Sequence, residues 1–399
     1  MIMTYRERIS FALVLGSAFL LGSCGRMANL AAALINAQEQ AQDAASDADH
    51  LVQVARTYAT GHKSHAQPAA LGTTENQTEL GSSRADGTDQ EAEYKNDIMM
   101  DLVRKNYDAL DKAARENRVP SARFAGGTWK AWGFYEGLNE PPTGDSATND
   151  DWEAQIDALK AWVAARPESA AARIALADAY GKWAWKARGS GYANTVSGEG
   201  WQLYSERYAI AASILVDAAK LREKSPYWYS VMQGVALAQG WNKSQAKALL
   251  DAAIAFEPSY YHAYREYVNF VLPKWYGEEG DGQTFAEEVS TQIGGEQGDF
   301  VYFELATTIA CGCDTAQDRT ELQSLSWPKI KSGYAAMKHL YGDSSLKTNR
   351  FAYLAVVEND KPTAAATLAV IGDAWNPKVW PSHVYFLQAR AWADGQPGQ

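Results

Sequence analysis

From Asp151 to the end of the chain, apolar residues recur every three or four positions, and no stretch sustains two-residue alternation. That pattern excludes sandwiches, barrels and layered α/β folds, because each needs strands with a two-residue period. Trp152, Ile156, Leu159 and Val163 share one helical face, and Pro167 ends that helix. Ala170–Lys186 carries Ile174, Leu176, Ala177, Tyr180 and Trp183 before Gly189-Ser190-Gly191 stops it. A helix over Leu203–Lys224 follows. Helices of ordinary length with breakers between them predict antiparallel helix pairs.

The next segment adds a repeat. Between Tyr227 and Tyr260, Gly234 and Leu237 are followed by Ala246, Leu250, Ala253 and Pro258. These offsets resemble the two helices of a tetratricopeptide repeat, with small residues where helices approach and leucines filling the seam. Pro258 is expected to open the next helix, where its missing N–H is harmless. Gly200, Leu203, Ala212 and Ala219 take the same positions 34 residues earlier. Tyr264, Tyr267 and Val271 continue the register until Pro273. Helices are also predicted over Phe300–Ala310, Leu325–Tyr341, Asn349–Val357, Pro362–Ile371 and Val384–Trp392. The tracts Gly181–Gly191, Pro258–Tyr276, Trp327–Gly342 and Asn349–Trp392 resemble a bacterial family of helical domains with no assigned chemistry, over about residues 125–392. That resemblance implies an α-helical, tetratricopeptide-like fold and no activity. The expected fold is all-α, with tetratricopeptide-like antiparallel helix pairs stacked as a short solenoid over 151–395. An N-terminal helix, with Ile98, Leu102, Tyr107 and Leu110, and the aromatic segment Trp129–Leu138 should fill 94–150.

The N-terminus reads as an address. Arg6 and Arg8 precede an apolar run, Ile9–Leu21, too short to span a hydrocarbon core of about 30 Å. Leu21-Gly22-Ser23-Cys24 closes it. Together these resemble a bacterial lipoprotein signal over 1–23, which implies that Cys24 is acylated and becomes the first mature residue. Gly25 at the next position favours, by the same resemblance, the outer membrane facing the periplasm. Acyl chains bury about 0.8 kcal/mol per methylene, so the anchor would be close to permanent. The alternative is an ordinary signal peptide or a buried helix with a chance cysteine. Residues 24–93 then form an Ala/Gln-rich segment and, over 61–92, a polar tether reaching roughly 30 Å.

A formal charge of −11 repels phosphate backbones, so no nucleic-acid partner is expected. Only three cysteines are present, which excludes a disulfide-stapled scaffold. Cys311-Gly312-Cys313 is read as a small-ring disulfide in an oxidising compartment, with inert thiols and redox or metal chemistry as alternatives. His50, His62, His65, His262, His339 and His383 are scattered, and no HExxH, GxSxG, P-loop or GxGxxG motif occurs. No cofactor or metal is therefore expected. Glu278, Glu279, Asp281, Glu287 and Glu288 read as a solvated acidic loop.

The aromatics carry the functional expectation. Trp129, Trp132, Phe134 and Tyr135 cluster, as do Tyr180, Trp183 and Trp185, then Tyr227, Trp228 and Tyr229. Three consecutive positions cannot share one helical face, so some of these rings should reach a groove. Trp228, Tyr229, Tyr264 and Tyr267 are the expected groove residues of a non-catalytic, membrane-anchored scaffold for an unknown protein or peptide. The alternatives are a carbohydrate-capturing lipoprotein with exposed Trp and Tyr as sugar platforms, and a hydrolase using Glu278 and Glu279. The anchor has its own test: Cys24→Ala should move the protein out of the membrane fraction, and retention there would exclude acylation at this cysteine.

Overall fold

In the computed structural model the described residues are 49–57, 86–189, 191, 193–311, 322 and 324–395, and the fold is that of the unit His50–Gln399. Cys24, His62, His65, most of the expected tether and the pairing of Cys311 with Cys313 lie outside the described residues. Among those described there is no strand, only a lone bridge between Arg123 and Trp129. No helix among them is long and apolar enough to cross a membrane.

The first helices are α1 (Gly87–Val103), α2 (Tyr107–Asn117) and the short α3 (Lys130–Glu136). Then follow α4 (Asn149–Ala165), α5 (Ala170–Arg188), α6 (Gly198–Lys220), α7 (Tyr227–Ala238), α8 (Lys243–Phe256), α9 (Tyr261–Phe270) and α10 (Asp281–Ile293). The last are α11 (Gly295–Cys311), α12 (Trp327–Tyr341), α13 (Ser345–Val357), α14 (Lys361–Ile371) and α15 (His383–Ala393). Local chemistry sets many starts. Thr148 and Asp151 form a capping box on α4, and Asn242 and Gln245 form one on α8. Ser169, Ser197, Ser344 and Ser382 cap α5, α6, α13 and α15.

Packing follows a helical repeat array. Each helix from α4 to α15 lies against its chain neighbour in pairs such as α5–α6, α7–α8, α11–α12 and α13–α14. The odd-numbered helices α5, α7, α9, α11 and α13 also touch one another in succession. They form an inner row with the even helices behind, so the all-α solenoid expected from the sequence is the fold.

Two boundaries differ from the sequence reading. The helix expected from near Tyr94 starts earlier, at Gly87. The Asp86 carboxylate accepts from Thr88 N at 2.7 Å, capping α1, and from Ser345 N at 2.9 Å, tying α1 to the start of α13. Upstream, residues 50–57 are helical and bury Leu51, Val52 and Ala55, whose carbonyl lies 3.4 Å from the Tyr229 hydroxyl. Pro258 does not open a helix; it sits in the turn before α9, which starts at Tyr261.

Residues 118–139 contain the aromatic segment expected over Trp129–Leu138. They form a strap along the inner row. Asn139 reaches Asp178 on α5 at 2.9 Å, and Tyr135 stacks on Tyr227 of α7 at 4.1 Å. Trp132 stacks on His262 of α9 at 4.2 Å, and Trp129 meets Tyr260 edge-on at 5.0 Å. The Gly126 carbonyl accepts from the Lys347 ammonium of α13 at 2.6 Å. Gly126 and Gly127 make the bend, with φ of 79° and 85°. A Cβ on Gly127 would lie 2.7 Å from the Tyr341 ring and 2.9 Å from Phe300. Gly127→Ala should therefore destabilise the protein by about 2 kcal/mol or more in urea unfolding, from strain and overpacking together. An unchanged midpoint would mean that the strap does not seat as described.

Candidate functional site

The expected groove residues are core. Trp228 and Tyr229 are fully buried, and Tyr264 and Tyr267 are 4% and 9% exposed. Trp228 Nε1 donates to the Leu215 carbonyl at 2.9 Å, and the Tyr264 hydroxyl donates to the Pro258 carbonyl at 3.0 Å. Tyr267 packs edge-on against Phe285, and Tyr229 against Phe256. The start of α7 is packed against α5, α6, α8, α9 and the strap. Tyr227, Trp228 and Tyr229 can then all be buried at consecutive positions.

The acidic loop does not converge either. Glu278 and Glu279 are exposed. Asp281 pairs with Lys243 at 2.6 Å, and Glu287 pairs with Lys329. Of the histidines, His262 is buried between Trp132 and Tyr261, and both of its ring nitrogens lack a hydrogen-bond partner. Burial, and then the nearby Arg265 charge, hold its pKa well below the usual value, so the ring is neutral.

An open cavity of about 480 Å³ lies where α3 and the loop after it face α5, α6, α7 and α9. Its rim and walls include Trp132, Trp152, Trp185, Tyr208 and Tyr227. Its polar lining includes Glu136, Glu140, Asp178, Lys182 and Glu266. The size is that of a small-molecule site, and aromatic walls with a few convergent polar groups are the usual make-up of one.

The polar groups fall into two sets. Glu136 lies 3.6 Å from Lys182 and 3.6 Å from Lys95, and Glu140 lies 3.8 Å from Lys182. Burial pushes the Glu136 carboxyl up, but these lysines more than offset it and hold the group ionised below its ordinary pKa. Lys182 is correspondingly raised, chiefly by Glu136. Asp178 accepts from the Tyr227 hydroxyl at 2.7 Å and from Asn139 at 2.9 Å through one oxygen, Oδ2. Burial still pushes it up to about 6. Glu266 accepts no hydrogen bond from the described residues, and burial pushes it up to about 7 against the pull of Arg265 and Lys182. The cleft thus holds a neutralised carboxylate–lysine cluster beside a carboxyl with nothing committed to it.

The floor explains two glycines. Gly181 of α5 and Gly234 of α7 line the cavity. A Cβ at either would meet only the Tyr208 ring or hydroxyl, at 3.5 Å or more. Glycine inside a helix costs about 1 kcal/mol relative to alanine. No close helix approach requires these two, unlike Gly200, where a Cβ would lie 2.8 Å from the Ala187 carbonyl oxygen. The sequence reading gave Gly234 to helix packing; in the fold it keeps the cleft open. Glu136, Asp178, Lys182 and Glu266 went unremarked because they stand on separate elements, with no motif spacing to join them.

No family model, curated protein or solved structure matches the chain.

The carboxyl at Glu266 has a signed consequence. Its folded pKa lies above its ordinary value of 4.5, so it lowers stability as pH rises from about 4.5 to 7, and the full penalty stands above 7. Glu266→Gln should raise the melting temperature at pH 8 and leave it nearly unchanged at pH 4.5. Equal shifts at both pH values would refute an ionisable, unpaired Glu266.

Proposed function

We propose that this protein is a non-catalytic, carbohydrate-capturing lipoprotein, held at the outer membrane by a lipid on Cys24, that takes its ligand into the cleft between α3, α5, α7 and α9. The observation that carries the reading is the unfilled floor. Gly181 and Gly234 leave space above two helices that alanine would stabilise, under half-exposed Trp132 and Trp185. Tryptophan faces stack on the apolar faces of sugar rings, and carboxylates, amides and indole N–H groups satisfy the hydroxyls.

Peptide scaffolding, the leading expectation from sequence, has less support. An extended peptide needs a long open inner face. In this fold the strap over 118–139 lies along that face from α5 to α13, and the four rings assigned to the groove are buried. A pocket of about 480 Å³ suits one or two sugar rings rather than a chain segment.

The test is a glycan array probed with the detergent-solubilised full chain, followed by two variants at Gly234. Gly234→Ala should stabilise the fold by about 0.5–1 kcal/mol. Gly234→Leu should abolish glycan binding, since its side chain occupies the cleft. Glycan binding that survives Gly234→Leu would move the site elsewhere.

A further inference from the structure

The inventory of the cleft is unbalanced. The ammonium groups around Glu266 are already held. Lys182 lies between Glu136 and Glu140 at 3.6 and 3.8 Å, and Lys186 donates to the Asp145 carbonyl at 2.8 Å. Arg265, its neighbour on α9, donates to Thr308 Oγ1 at 2.8 Å and lies 3.7 Å from Glu304. His262, one turn earlier on α9, is neutral. Asp178 has its Oδ2 engaged twice, while no hydrogen bond engages Oδ1. Among the described residues, what remains without a partner is acceptor capacity on Glu266 and on Asp178 Oδ1, in a cavity that Trp132 and Trp185 also line.

A neutral sugar does not use this arrangement fully. Its hydroxyls would bond a carboxylate, but they would leave that negative charge uncompensated in a cleft that already presses Glu266 to keep a proton. A cation compensates it. We propose that the ligand captured in the cleft is a sugar bearing a free, protonated amine, with Glu266 as the residue that receives the amine. The inference rests on the glycan reading above and adds the charged group. On binding, the ammonium takes the place of the proton on Glu266. The carboxyl ionises, its proton leaves to solvent, and the pair is neutral. Asp178 Oδ1 remains for a ring hydroxyl.

The experiment compares three disaccharides of one backbone by calorimetry on the solubilised full chain at pH 7: β-linked glucosamine disaccharide, its N,N′-diacetyl form and cellobiose. The amine form should bind at least about 10-fold tighter than the other two, as one charge-assisted contact in a desolvated site implies. Glu266→Gln should erase that preference, bringing the amine form to the affinity of the other two sugars. This variant removes charge at nearly constant volume and is expected to fold at least as stably as the natural chain. Equal affinity for the three sugars, lost in Gly234→Leu, would overturn the amine assignment and keep the glycan reading. No binding of any of them would overturn both. An amine preference that persists in Glu266→Gln would overturn the role of Glu266.

Discussion

One buried ion pair fastens the strap to the solenoid. Lys347 is 3% exposed and Glu304 fully buried, and their charged atoms lie 2.5 Å apart. Burial pushes the Glu304 carboxyl up, but Lys347 and Arg265 outweigh it and hold the group ionised. The same ammonium donates to the Gly126 carbonyl at 2.6 Å. A buried pair adds little net stability compared with apolar packing, yet losing one partner costs about 3–5 kcal/mol. Its value here is positional. Lys347 begins α13, Glu304 sits in α11, and Gly126 is the bend of the strap. Three elements distant in sequence are therefore fixed at one point, and only one arrangement of the strap satisfies the charge.

From that point the strap determines what surface is left. It covers the inner row beside α13, α11 and the start of α9 with Gly126, Trp129 and Trp132, then leaves the row near α5 through Tyr135 and Asn139. The cleft opens where the strap ends its run, so one wall belongs to the strap and the rest to the solenoid. Glu136, on the last turn of α3, is the hinge of this geometry. It reaches Lys95 on α1 and Lys182 on α5 at equal distances of 3.6 Å, so the strap brings the counter-charge that keeps Lys182 in place. Packing and site are coupled through that one carboxylate.

The fold was legible because its signal is local and repeated. Helical spacing from Asp151 onward, and offsets that recur at 34 residues through Gly200/Gly234 and Ala212/Ala246, need no knowledge of distant contacts. The ends of the first two of these helices followed from Pro167 and Gly189. The site was not legible for the converse reason. Glu136, Asp178 and Glu266 lie on α3, α5 and α9, far apart in sequence, and meet only in the folded chain. The aromatic count pointed to a surface, and most of it went inside. Trp129, Trp162, Trp228, Tyr229, Tyr260 and Tyr261 fill the space between helices and strap. Periodicity says which face of a helix is buried; it does not say that a second layer of chain will bury the opposite face as well. Gly126-Gly127 did signal a break, but not that the break was the fixed point of a strap.

A solenoid with a filled inner face changes what its repeats can recognise. Open helical arrays read extended chains because many shallow contacts line up along the groove. Here those contacts are made in cis, by residues whose cost of ordering is met during folding rather than on binding. What remains is a short gap, bounded by rigid helices and carrying an unmatched carboxyl. Gly181, Gly234 and Glu266 each make the free protein less stable than a simple replacement would. Each does so at the same wall of the same cavity. Three separate costs to stability thus fall at one cavity of about 480 Å³.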